Sequence, residues 1–119
     1  MTYVDGFVVP VPKATFDAYR AQAEQMGALW REHGALHYCE CKADDVKPGK
    51  LTSFPQSVLL KDDEIVVLAW IVYASRAHRD EVVAKVMADP RMNELFDMAN
   101  LPFDAKRMFF GGFEVMLDL

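Results

Sequence analysis

Cysteine is nearly absent: the 119 residues contain only Cys39 and Cys41. One residue apart on a shared strand, they hold their Cα atoms about 6.5 Å apart with both side chains on one face, so a disulfide between them is strained. Reduced thiols follow, and with them a reducing compartment. Long apolar runs are also missing. Phe7 to Val11 and Ile65 to Ala74 fall far short of the ~20 residues a membrane-spanning helix requires, and no basic stretch followed by an apolar core opens the chain. The expected location is the cytoplasm, with no membrane partner. Positive charge is scarce, with 13 Lys and Arg against 18 Asp and Glu and a net charge of -5. Phosphate backbones are bound through Lys and Arg, so nucleic acid is excluded as a partner. No Ser-His-Asp arrangement, Walker loop, Rossmann glycine pattern or HExxH helix is present, which removes the common hydrolase, nucleotide and zinc-protease readings and leaves no cofactor expected.

What is present is core-forming residue. Hydrophobic types make up 52% and charged types 26%, too apolar for disorder and enough for one domain spanning 1–119. Residues 3 to 11 are β-branched and aromatic, and Pro10 and Pro12 close this first strand. From Lys13 to His33 the residues Phe16, Tyr19, Ala23, Met26, Trp30 and His33 recur at steps of three and four, which predicts an amphipathic helix ended by Gly34. Leu36 to Ala43 reads as a second strand. Asp44 to Asp63 is longer than most connections and should hold a short element, with Phe54 to Leu59 a candidate helix opened by Pro55.

Glu64 to Ala74 is the strongest strand, a near-continuous β-branched run that should be central. Ser75 is a good N-cap for a helix over 76–88, and Asp89 with Pro90 opens another short helix ending near Asn100. Lys106 to Leu117 reads as the last strand, where Gly111-Gly112 suggest a bulge or a close backbone approach. The order βαββαβ is that of a ferredoxin-like α+β fold, an antiparallel sheet with helices on one face. On the third strand both alternating sets, Val66, Leu68, Trp70, Val72 and Ile65, Val67, Ala69, Ile71, Tyr73, are apolar, so neither face is wetted. Two helices cover one face only. A second copy of the sheet is the economical cover for the other, which predicts a homodimer.

Several segments carry a family likeness: residues 3–13, Ser53-Phe54-Pro55, Trp70 to Asp80 with its Ser-Arg-Ala-His-Arg-Asp run, Asp89-Pro90-Arg91-Met92, and Pro102 to Glu114 with Arg-Met-Phe-Phe-Gly-Gly-Phe-Glu. Together they resemble the YbaA-like bacterial proteins, a domain family of unknown function. The resemblance implies a dimeric α+β barrel, a group that includes cofactor-free monooxygenases, haem-degrading enzymes, lactone isomerases and members without known activity. It implies no catalytic residues.

Four constellations can carry chemistry. Arg76, His78 and Arg79 fall in the first turn of the second long helix, where free N–H groups favour an anion; the plainer account is a solvated helix end neutralised by Asp80 and Glu81. His37, Cys39 and Cys41 share one strand face in a soft-metal pattern, but one strand offers too few ligands, so packing is expected and no metal. Trp70, Tyr73, Tyr19, Trp30 and His33 suggest an aromatic pocket between sheet and first helix, although Trp70 and Tyr73 face opposite ways. Arg107 and Glu114 converge only if a bulge shifts their register. The expected ligand-binding set is Arg76, His78, Arg79, His33, Trp70 and Tyr73. The function expected is binding of a small organic or anionic ligand without catalysis. The competing expectation is a cofactor-independent monooxygenase or isomerase acting on an apolar or aromatic carbonyl compound, with His78 or His33 as acid or base.

Overall fold

The computed structural model describes residues 2–119. Strand β1 runs Tyr3–Pro12 and is followed by a 3-10 turn and helix α1, Phe16–Glu32. Gly34 leaves that helix at φ +114°, a left-handed conformation that glycine adopts without penalty. Then come β2, His37–Lys42, the short helix α2, Phe54–Ser57, and β3, Glu64–Tyr73. Helix α3, Arg76–Ala88, starts where Ser75 Oγ accepts the His78 N–H at 3.0 Å, and α4, Pro90–Leu95, where Asp89 Oδ1 accepts the Arg91 N–H at 2.9 Å. Strand β4 is Phe109–Glu114.

The four strands form one sheet in the order β2-β3-β1-β4, with every neighbouring pair antiparallel. This is the ferredoxin-like arrangement expected from the element order. Several boundaries differ: β4 ends at Glu114 rather than Leu117 and α2 at Ser57 rather than Leu59, and two shifts have a visible cause. Helix α4 stops at Leu95 because Asp97 folds the next residues into a turn, accepting from the Ala99 N–H and Asn100 Nδ2. Strand β4 begins three residues late because Asp104 accepts from the Lys106 N–H and its carbonyl from the Arg107 N–H, which makes a turn of the region expected to be strand.

Register assigns the faces. Tyr3, Asp5, Phe7, Val9 and Val11 of β1 lie opposite Tyr73, Ile71, Ala69, Val67 and Ile65 of β3, and this side meets the helices. Leu29 and Trp30 of α1 and Val82 and Val86 of α3 close the larger core cluster over it. Each such aliphatic side chain removed from water contributes about 1.5–3 kcal/mol. The other side carries Val4, Val8, Val66, Leu68, Trp70, Val72, Phe109 and Phe113. The segment around α2 covers one end of it, packing Val58 and Leu60 on Val8 and Val66. Leu68, Phe109 and Phe113 stay 37%, 45% and 65% exposed.

Candidate ligand cavity

Between the helix side of the sheet and its helices lies a cavity of about 640 Å³. Its floor is Phe7 and Val9 of β1 with Ala69 and Ile71 of β3. Met26 of α1, Val83 and Met87 of α3, and Met92 of α4 form the walls, with Phe96, Phe103, Met108 and Phe110 completing the lining, and exposed Met87 and Phe110 stand at its open mouth. Ala23, Ala69 and Ala84 stand where larger side chains would fill the space. Small residues on three different elements therefore border the space.

Two polar stations interrupt the apolar lining. At the first, Arg79 Nη1 donates to Asp5 Oδ1 at 2.7 Å and Arg79 Nε to Asp80 Oδ1 at 2.8 Å. The guanidinium also stacks 5.0 Å from the centre of the Tyr3 ring. Trp30 Nε1 donates to the Tyr73 hydroxyl at 3.0 Å, and that phenol lies beside Asp5. Burial pushes the Asp5 carboxyl above its ordinary range, outweighing the guanidinium and the hydroxyl that favour the charged form. Burial, then the Asp5 charge, likewise holds the Tyr73 phenol above its usual range.

At the second station Glu40 of β2 accepts hydrogen bonds from two phenols, Tyr38 at 2.8 Å and Tyr19 of α1. Both phenols are held above the ordinary range, first by burial and then by the neighbouring carboxylate. Tyr38 reaches this position across Gly27, where a Cβ would come within 2.7 Å of the ring. Asp5 and Glu40 face the same side of the sheet with β3 between them, so two strand spacings, about 10 Å, separate their strands.

The expected site residues divide. Arg79 lines the cavity, and Tyr73 backs Asp5 from inside the core. Arg76 is exposed, and His78 turns away, its Nδ1 accepting the Ala74 N–H at 2.9 Å and its ring meeting Tyr73 edge-on. His78 and Arg79 are thus engaged with different partners. Trp70 lies on the far side of the sheet between Gly6 and Cys39, outside the cavity, as its parity with Tyr73 requires. His33 is also outside: its Nε2 donates to Asp89 at 2.8 Å. Glu32, His33 and Asp89 bring ligand atoms within 4.8 Å of one another, but Arg91 pairs with Glu32 at 2.5 Å and Asp89 at 2.7 Å and supplies the positive charge a metal would bring. Arg107 does not approach Glu114; it pairs with Glu64 and Asp104. Cys39 and Cys41 project from the far side with their sulfurs 3.8 Å apart and unlinked, and burial raises the Cys39 thiol. Asp5 and Glu40 were not foreseen. Asp5 was detectable as the lone charge in the set Tyr3, Asp5, Phe7, Val9, Val11; Glu40 sits in a mixed set and carried no such signal.

The family model described as "Protein of unknown function (DUF1428)" matches residues 2–105. The chain belongs to the DUF1428 family. Its relatives include the uncharacterised protein YbaA of Escherichia coli K12 and that of Shigella flexneri, each 48% identical over 118 residues and 99% of both chains. Among solved structures, a dimeric ferredoxin-like protein from an uncultured marine organism has a TM-score of 0.57 at 11% identity, covering 100% of both chains. The designed protein Foldit4 has a TM-score of 0.50 at 10% identity, covering 97% of this chain and 99% of its own. Both show the fold alone.

Proposed function

We propose that this DUF1428 protein is a cytoplasmic, single-domain homodimer that holds a small, mainly apolar organic molecule between sheet and helices without changing it chemically. The observation that carries the reading is the cavity, whose ~640 Å³ lies within the range of small-molecule sites and whose walls are aliphatic, aromatic and thioether. The anionic version of the ligand loses support from Arg79, the one cation on the lining among the described residues, which already serves Asp5 and Asp80. The homodimer draws on the uncovered apolar side of the sheet and on the ferredoxin-like neighbour described as dimeric. The cytoplasm agrees with two adjacent unlinked thiols and, among the described residues, with no helix long and apolar enough to cross a membrane.

Native mass spectrometry of the purified protein, paired with thermal melting against a panel of small aromatic and aliphatic compounds, tests this reading. A retained molecule, or a rise in midpoint that Ala84→Phe abolishes by filling the cavity, is the expected result. Loss of the proposal follows if no compound shifts the wild type and Ala84→Phe melts higher, since the space would then be a packing defect. A second reading, a cofactor-independent enzyme for apolar or aromatic carbonyl compounds, is favoured by Asp5, a carboxyl whose raised pKa and place on the lining suit an acid or base better than His78 or His33. Conversion of a panel compound by the wild type but not by Asp5→Asn distinguishes it from simple binding.

A further inference from the structure

The charges on the cavity wall do not balance. Asp5, Glu40 and Asp80 stand against Arg79 alone, and Arg79 is shared between Asp5 and Asp80. Among the described residues, phenol hydroxyls are the only hydrogen-bond partners of the Glu40 carboxylate, and no Lys, Arg or His comes within ion-pair distance of it. Of the nearby cations, Arg31 donates to the Ala35 and Leu36 carbonyls. Lys42, two residues along β2, sits over the Phe16 ring at 5.3 Å, and Arg20 and Arg31 line, with Glu24, an open groove between α1 and β2 that Glu40 also borders. A carboxylate has about four acceptor positions, and the two phenols occupy two of them.

Around this carboxylate the walls are aromatic. Tyr19 and Tyr38 flank it, and Phe103 meets the Tyr19 ring edge-on at 5.6 Å. Aromatic faces attract cations, and a half-buried carboxylate without a counterion does so more strongly. Resting on the reading of the cavity as a ligand site, we propose that its occupant is an apolar or aromatic compound bearing a protonated amine, seated with its ammonium group on Glu40 and its hydrocarbon body over Phe7, Ala69 and Ile71. The two tyrosines hold Glu40 in place, and the body of the ligand takes the space the alanines leave open.

The test compares three probes with one phenylethyl body on the full chain by calorimetry and thermal melting: 2-phenylethylamine, 2-phenylethanol and 3-phenylpropionate, each up to millimolar concentration. The amine should bind tighter than the alcohol by about tenfold, the ratio one charge-assisted contact supplies, and the carboxylate weakest of the three. In Glu40→Gln the amine and the alcohol should bind alike, with alcohol binding retained as the sign of an intact cavity. Should that variant fold poorly, the wild-type ranking still decides. Equal binding of amine and alcohol to the wild type, or tighter binding of the carboxylate, overturns the amine assignment and leaves the cavity reading standing. Binding of none of the three overturns the amine assignment, and the cavity reading falls with it if Ala84→Phe also melts higher than the wild type.

Discussion

Asp5 and Glu64 are the buried carboxylates among the described residues, and their surroundings push them in opposite directions. Glu64 receives both guanidinium arms of Arg107, Nη1 at 2.7 Å and Nη2 at 2.5 Å, and these bonds hold it below its ordinary value of 4.5. Its stabilisation is present above 4.5 and lost as the pH falls through the lower folded value. Asp5, raised above 3.8 by burial, binds its proton more tightly folded than unfolded; its contribution is full below 3.8 and lost as the pH rises through the higher folded value. Urea unfolding across pH 3 to 7 should therefore show a steeper acid-side loss for Asp5→Asn and a shallower one for Glu64→Gln than for the wild type. Arg79→Ala leaves Asp5 buried without its cation and should cost about 2–3 kcal/mol, somewhat less than a fully buried pair because Arg79 is itself 21% exposed. The lone charge on an apolar β1 face was readable in the sequence, but its partner was not. Nothing local to Asp5 points to Arg79, since only the β1–β3 register and the start of α3 bring them together.

Among the elements, β4 shows how a correct local signal supports two structures. Gly111-Gly112 read equally as a bulge or as a close approach, and the register through Gly6↔Gly111 and Asp5↔Gly112 is unbroken. The approach is real: a Cβ on Gly112 would sit 2.3 Å from the Tyr3 hydroxyl and 2.7 Å from its ring, whereas one on Gly111 meets nothing closer than Phe113 at 3.8 Å. Gly112→Ala should thus destabilise by about 1–3 kcal/mol through overpacking, with Gly111→Ala near neutral in the single chain; chemical denaturation separates them. The long connection before β3 was expected to hold a short element, and it does. What holds it down was hidden, because Arg107 donates to the Val58 and Leu59 carbonyls from 49 and 48 residues away. Arg107→Ala should loosen this segment and open it to limited proteolysis between Asp44 and Leu60, while α1 and β3 stay protected. The βαββαβ order itself was legible because strand and helix periodicities are local. The end of α4 and the start of β4 were not, since turns seated by Asp97 and Asp104 set them.

At the scale of the whole molecule, the single chain leaves an apolar sheet side with Phe113 65% and Phe109 45% exposed. Light scattering should report a dimer at micromolar concentration, and Phe113→Lys should give a monomer that keeps its fold, because that ring has little contact to lose within one chain. A dimeric mass for Phe113→Lys would place the contact elsewhere. Strand β3 serves both sides at once: Val67, Ala69, Ile71 and Tyr73 turn toward the helices, and Val66, Leu68, Trp70 and Val72 toward the far side. Such a strand has no spare position. In a saturation library scored by cellular abundance, most half-buried strands tolerate change at every second residue, but from Val66 to Tyr73 tolerance should stay low without alternation. The exposed ends of β2, His37 and Lys42, should accept nearly any replacement. Sequence drift in this protein is thereby channelled away from its central strand and toward the rims of the sheet.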